Sequence, residues 1–429
     1  MRVLGSYFRS LAPDLPRTVW VLQTGGLLNS FGNGVVFPFL IIYLHNVRGI
    51  ALGLAGLIAA ANSAAALVTG FVAGSLSDRL GARGVLVSAL LVMTGAILLF
   101  PLIREPWHAF ALSAALGAGS GAFWPSQSTL VTGYTPSGRR HAAFAVQRVT
   151  MNLGIALGGL TGGLIASSDH PRTYTVLFLV DAATFLAYVV VLVTLPAAVL
   201  HPDRAAGSYR QVVRDRAFMA YVLLNALFIA AAMSVIVELL PPFAKNNAHV
   251  AEAGIGVLWA VNALVVVFAQ LPVAKLVEGH RRMRGLALMG TIWAAAMLIV
   301  LAAGLWLDAA AATAVLACAV AIFGVGECLH GTIHVPLAAD LAPARLVGRY
   351  LAFSSQSWQV GWIVGPAIGG YLLQHAPLAL WALAAAANLV GAGSALALER
   401  RLPARVRRTP GRERARALEP EPEIAARPA

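Results

Sequence analysis

The sequence predicts an all-α membrane protein of twelve transmembrane helices, arranged as two pseudo-symmetric bundles of six. Three observations predict it. The chain of 429 residues is 59% hydrophobic and only 11% charged, whereas soluble domains are about 25% charged. Its apolar residues gather into twelve stretches of about twenty, the length that crosses hydrocarbon. The second half also repeats the residue spacing of the first.

In order, the predicted segments are 18–43, 52–76, 84–103, 107–133, 141–167, 173–195, 217–243, 254–277, 284–305, 310–338, 349–374 and 377–399. Basic residues orient them. With both termini and alternate loops on one side, 26 of the 31 Lys and Arg fall there, four (Arg48, Arg104, Arg172, Lys245) fall opposite, and Arg148 lies within a segment. Such asymmetry marks the cytoplasmic side. Residues 1–17, with Arg2, Arg9 and Arg17 but no cleavage site after a short apolar core, are therefore expected to be a cytoplasmic N-terminus. An N-terminal bundle follows over 18–195, an amphipathic cytoplasmic linker over 196–216, and a C-terminal bundle over 217–399. The tail 400–429, rich in Arg, Glu and Pro, is expected to be disordered.

A net charge of +13 then reports topology and contact with anionic lipid at the cytoplasmic face, which removes nucleic acid as a partner. The expected setting is the cell inner (plasma) membrane, and the expected form a monomer. No loop is long enough for a folded catalytic domain, so an enzyme is not expected. Cys318 and Cys328 stand ten positions apart on one segment. Ten residues of straight helix span about 15 Å, too far for a disulfide. No zinc-type spacing occurs, and neither a metal nor a cofactor is expected.

The internal repeat is visible residue by residue. Gly117-Ala-Gly119 in segment 4 aligns with Gly324-Val-Gly326 in segment 10, and the same offset pairs Gly154 with Gly361, Gly158 with Gly365, and Gly162-Gly163 with Gly369-Gly370. Parallel repeats of this kind place a binding site where the halves meet.

Between segments 2 and 3 the chain reads Gly74-Ser-Leu-Ser-Asp78-Arg79-Leu-Gly81-Ala-Arg83. So charged a stretch must lie at the membrane surface. Its pattern resembles the loop joining helices 2 and 3 in the major facilitator superfamily of transporters, with Ala82 where that loop usually carries a basic residue. A degraded copy runs from Ala274 to Arg284. The resemblance implies that Gly74, Asp78, Arg79, Gly81 and Arg83 form a conformational latch, with Asp78 near the start of helix 11. It also implies that helices 1, 4, 7 and 10 line a central cavity.

Polar residues within spans are the strongest functional pointers, because each costs free energy to place there. Of 18 carboxylates, only Asp181, Glu238 and Glu327 lie clearly within segments. Glu327 sits mid-segment 10, with His330 and His334 at +3 and +7. At about 100° per residue these three share roughly a 60° arc. The resemblance turns that arc toward the cavity, where Glu327, Glu238 and His330 become the proton-coupling candidates and His334 a substrate contact. A carboxylate in such a place suits reversible proton binding; a polar seam between helices is the plainer alternative. Asp181, on an outer helix by resemblance, is expected to find a partner in its own half. Arg148, with Asn152 one turn on, is expected to be a structural, gating or coupling cation, and both residues are expected to contact substrate. Asn29 and Asn33 in segment 1, Trp124 and Gln127 in segment 4, and Trp358 in segment 11 complete the expected substrate lining.

Gly361-x-x-x-Gly365-Pro366-x-x-Gly369-Gly370 resembles a signature of drug/proton antiporters, where it belongs on helix 5 and serves to bend it. Here the intact series is on segment 11, and on segment 5 Gly159 replaces the proline. The family's helix-4 arginine would fall at Ser113, which removes that residue from proton coupling. The reading is a proton-coupled secondary transporter that exports amphipathic small molecules or drugs by alternating access. The alternative is a carrier of one metabolite, such as a sugar, peptide or siderophore. A sugar carrier should show denser Gln, Asn and Trp in segments 7 and 8 than Asn225, Asn262 and Gln270 supply.

Overall fold

A computed structural model describes residues 13–196, 209–306, 308–343 and 346–409. Twelve long helices account for nearly all of it: α1 (Arg17–Val47), α2 (Leu52–Ala73), α3 (Leu80–Leu102), α4 (Pro106–Tyr134), α5 (Arg140–Ile165), α6 (Arg172–Thr194), α7 (Arg216–Asn246), α8 (Glu252–Val277), α9 (Arg282–Trp306), α10 (Ala309–Leu341), α11 (Val347–His375) and α12 (Pro377–Glu399). Each apolar run folds this way because a helix satisfies its own backbone where no water can. Nine of the described helices are long and apolar enough, by length and composition, to cross a membrane. The other three, α4, α5 and α11, carry glycine and polar residues on the faces they pack.

Local chemistry sets the boundaries. Glu105 and His108 form a capping box before Pro106 at the start of α4, and Asp308 accepts from Ala311 N at the start of α10. Asp215 accepts from Ala217 N and Phe218 N, both at 3.1 Å, opening α7. Each such cap satisfies backbone donors that the first turn leaves free. The α2–α3 turn reverses at Gly81 with φ 74°, and the α8–α9 turn at Gly279 with φ 73°. Only glycine enters that region without strain.

In the first half, α1 packs on α5 and α6, and the α2–α3 hairpin packs on α4 and α6. In the second, α7 packs on α11 and α12, and α10 lies against α8 and α9. The halves meet along two seams, α2 with α11 and α5 with α8, which the repeat interchanges. Each seam brings backbones together through glycine. A β-carbon on Gly370 would stand 2.9 Å from Gly56 Cα, and one on Gly163 would stand 2.9 Å from Gly256 Cα.

Beyond α12 the chain turns back through a short 3₁₀ turn, Ala404–Val406, and Arg408 pairs with Arg281 in an isolated β-bridge. Residues 400–409, part of the tail expected to be disordered, are thus ordered. Residues 410–429, 1–12 and 197–208 lie outside the described residues, and with them most of the expected linker. Tyr209–Arg214 forms a short helix ahead of α7.

Candidate substrate cavity

A cavity of about 770 Å³ opens between the halves. Its wall is drawn from both: Asn29 and Asn33 of α1, Asn62 of α2, Trp124 of α4, Asn152 of α5, Glu238 of α7, Trp259 and Asn262 of α8, Glu327 of α10, and Gln356, Trp358, Gln359 and Trp362 of α11. Aromatic and apolar surface with a few placed polar groups is the usual build of a small-molecule site.

Glu327 is half-buried on this wall and accepts a hydrogen bond from Asn262 Nδ2 at 3.4 Å. Facing it from the other half is Arg148, whose Nη2 lies 2.6 Å from where a β-carbon on Gly331 would stand. That places the guanidinium against α10 one turn past Glu327. Among the described residues the two form no direct ion pair. Glu238 also reaches the cavity, and its Oε2 is buried with no hydrogen-bond partner among the described residues.

The sequence-predicted arc on α10 divides. Glu327 faces the cavity, whereas His330 and His334 are each 2% exposed and turn into the second half. His330 Nε2 bonds Asn225 Oδ1 at 2.7 Å, and Asn225 Nδ2 donates to Ser357 Oγ at 2.7 Å. His334 Nδ1 bonds Tyr221 Oη at 2.6 Å and its Nε2 bonds Ser354 Oγ at 3.2 Å. The imidazoles stack at 4.8 Å, with Trp358 edge-on to His330 at 5.3 Å. This is a polar seam joining α7, α10 and α11.

Gln127 also lies off the main cavity, donating to Tyr188 Oη at 3.0 Å and accepting from Gln147 Nε2 at 2.9 Å. Asp181 is buried beside Gly32 of α1, in its own half, with Oδ1 lacking a partner among the described residues. In the 74–83 stretch, the side chains of Ser75, Asp78 and Arg79 and the surroundings of Gly74 lie outside the described residues. Arg83 Nη1 donates to Leu195 O at 2.5 Å, tying that turn to the end of α6. Sequence reasoning missed Trp259, Trp362, Gln356 and Gln359. A signal existed on α11, where Gln356 with Gln359 and Trp358 with Trp362 recur at helical spacing.

Hydrogen bonds join the halves at the face poor in basic residues. Among the described residues they are Asn46 with Asn246, Gly53 with Gln374, and Ser168 with Glu252. All three contacts tie α1, α2 and the α5–α6 turn to α7, α8 and α11 at that face. Two matched helical halves, bonded at one end around a central cavity, define a membrane transporter. The chain belongs to the Major Facilitator Superfamily, whose family profile matches residues 24–306 and 223–428.

Among its relatives, an uncharacterized MFS-type transporter of Bacillus subtilis (strain 168), YttB, is 26% identical over 369 residues, covering 84% of this chain and 89% of that one. The multidrug resistance protein MdtH of Shigella dysenteriae serotype 1 (strain Sd197) is 26% identical over 390 residues, covering 89% and 90%. The fold is similar to the crystal structure of the peptide transporter POT in complex with sulfate. The TM-score is 0.76 at 16% identity, over 92% of this chain and 96% of that one.

Proposed function

We propose that this transporter exports amphipathic small molecules in exchange for protons. The observation that carries the reading is the Glu327–Arg148 arrangement: a cavity carboxylate on one half and, one turn along α10, an arginine reaching in from the other. A proton on Glu327 removes its charge and weakens attraction between the halves; its loss restores that attraction. Occupancy of the carboxylate by a proton thus biases the conformational equilibrium to which substrate binding in the same cavity is coupled, which is the requirement for exchange. Several tryptophans on the wall suit flat apolar substrates. Relatedness to a multidrug resistance protein supports export, with the basic-rich face cytoplasmic, in the cell inner membrane and as a monomer. The 74–83 motif would act as the latch on that cytoplasmic side.

The test is transport in proteoliposomes with an imposed pH gradient, screened across cationic dyes, antibiotics, peptides and sugars. Glu327→Gln, which mimics the protonated acid, should keep substrate binding while losing uphill transport, and the pH dependence of binding should flatten. Uphill accumulation with an unchanged pH profile would move coupling to Glu238. A second reading, carriage of one polar metabolite, draws on the amides Asn29, Asn33, Asn62, Asn152, Asn262, Gln356 and Gln359 on the same wall. Saturable transport of a single hydrophilic compound, with no dye competing, would favour it.

A further inference from the structure

The loops that follow α1 and α7 are two copies of one turn, 200 positions apart. Ile50 N donates to Leu44 O at 2.9 Å, as Val250 N donates to Ala244 O at 2.8 Å. Arg48 N donates to Tyr43 O at 3.0 Å, as Ala248 N donates to Phe243 O at 3.2 Å. Gly49 takes φ 69° and His249 takes φ 53°, the same left-handed region. Glycine enters it freely, but a residue with a β-carbon must be held there. His249 therefore shows that the turn is imposed by its surroundings.

Between the two copies stands a reciprocal amide pair. Asn46 Nδ2 donates to Asn246 Oδ1 at 2.7 Å, and Asn246 Nδ2 donates to Asn46 Oδ1 at 3.3 Å. Each residue is the repeat counterpart of the other, so the pair straddles the pseudo-twofold axis, as a residue in an isologous interface meets its own copy. On one flank, Glu252 Oε1 accepts from Ser168 N at 3.0 Å and Ser168 Oγ at 2.7 Å, while Oε2 pairs with Lys245 at 2.9 Å. On the other flank, Gln374 Oε1 accepts from Gly53 N at 2.9 Å. Beneath this layer, Phe37–Phe39 packs on Val235–Leu239 and Leu240–Asn246, and Pro38, Leu240 and Pro241 roof the cavity.

We propose that Asn46 and Asn246 form an on-axis gate that closes the cavity to the basic-poor face, with Glu252 and Gln374 as flanking clamps. The layer parts once in each transport cycle. Neutral amides at the surface suit a contact that must open repeatedly, because water replaces each partner at small net cost. None of the four is among the residues lining the cavity, so they act as positioning residues on the conformational equilibrium. The proposal rests on membership in a transporter family and is independent of proton coupling and of substrate identity.

The full chain, with Cys318→Ala, Cys328→Ala and a reporter Ser120→Cys on the cavity wall, is exposed to a membrane-impermeant maleimide. Intact cells present one face and inverted vesicles the other. With the gate intact, the reporter should label from the basic-rich side and slowly from the basic-poor side. Asn46→Asp with Asn246→Asp sets like charges against each other. Labelling from the basic-poor side should then rise roughly fivefold or more, the shift expected of two unit charges at contact in water. Asn46→Asp with Asn246→Lys should return it to the starting rate. Unchanged labelling in the Asp pair overturns the gate, as does an equal rise in the Asp–Lys pair, which would report general loosening. Should the Asp pair fail to accumulate, Asn246→Ala carries the same test, with a smaller rise expected and no change overturning it.

Discussion

Glu327 and His334 lie at nearly the same angle on α10, yet one faces the cavity and the other is enclosed. Depth separates them. Nearer the basic-rich end, Tyr221 and Asn225 of α7 and Ser354 and Ser357 of α11 close over that face and bond the imidazoles. Periodicity could place the three residues on one arc, but it carries no information about which neighbours cover the arc at each turn. The consequence is a division of labour. His330→Ala would strand Asn225 Oδ1 and leave a void beside Trp293 and Trp358, costing about 2–4 kcal/mol of stability. Glu327→Gln removes a charge from a cavity wall and nearly preserves shape. Thermal unfolding of the detergent-solubilised variants should therefore fall further for His330→Ala, whereas uphill transport should suffer more in Glu327→Gln. The reverse order would place the histidine in the coupling step.

At the scale of elements, all twelve spans were legible because a run of about twenty apolar residues has no other stable home. Rotation was not legible for α1 and α7, since both leave the α-helical period. α7 contains π-helical stretches at Ile229–Met233 and Val235–Leu239, and α1 contains one at Tyr43–Val47 after a 3₁₀ turn at Phe37–Phe39. Each π turn shifts the hydrogen-bond register by one residue, so a 100° count drifts before it reaches Glu238. The glycine series was legible as a pattern, but its two uses were not. Gly361 packs α11 onto Ile229 of α7 within the second half, whereas Gly370 meets Gly56 of α2 across the seam. Gly370→Ala would put its β-carbon 2.9 Å from Gly56 Cα and the same distance from Leu52 O, backbone atoms with little room to move. Overpacking of this kind costs about 1–3 kcal/mol. The seam bears that cost, so turnover should drop several-fold while the melting temperature of each half changes little. Wild-type turnover in Gly370→Ala would show that the seam widens freely.

For the whole molecule, residues 400–409 bear on how the second half holds its basic-rich face together. Arg282 N donates to Arg407 O at 2.8 Å and Thr409 N to His280 O at 3.0 Å, so the segment after α12 is strapped along the α8–α9 turn. Glu399 pairs with Arg281 at 3.1 Å, and the buried Arg282 pairs with Asp340 of α10 at 2.5 Å. At the equivalent corner of the first half, Arg83 donates to the carbonyl of Leu195 and Tyr134 Oη to that of Pro196. Under the strap, Leu402 and Val406 are almost wholly buried. Burying two such side chains contributes about 3–6 kcal/mol, whereas each ion pair beside them has one buried partner, whose desolvation offsets much of the attraction. Ending the chain after Thr409 should then leave thermal stability and transport near the full-length values. Ending it after Glu399 removes both anchors, frees the α8–α9 turn, and should lower the melting temperature and the yield of folded protein. Leu402→Ala with Val406→Ala in the full-length chain should reproduce most of that loss if burial is the cause. A double variant as stable as the parent would instead assign the corner to the Arg281, Arg282, Asp340 and Glu399 charges.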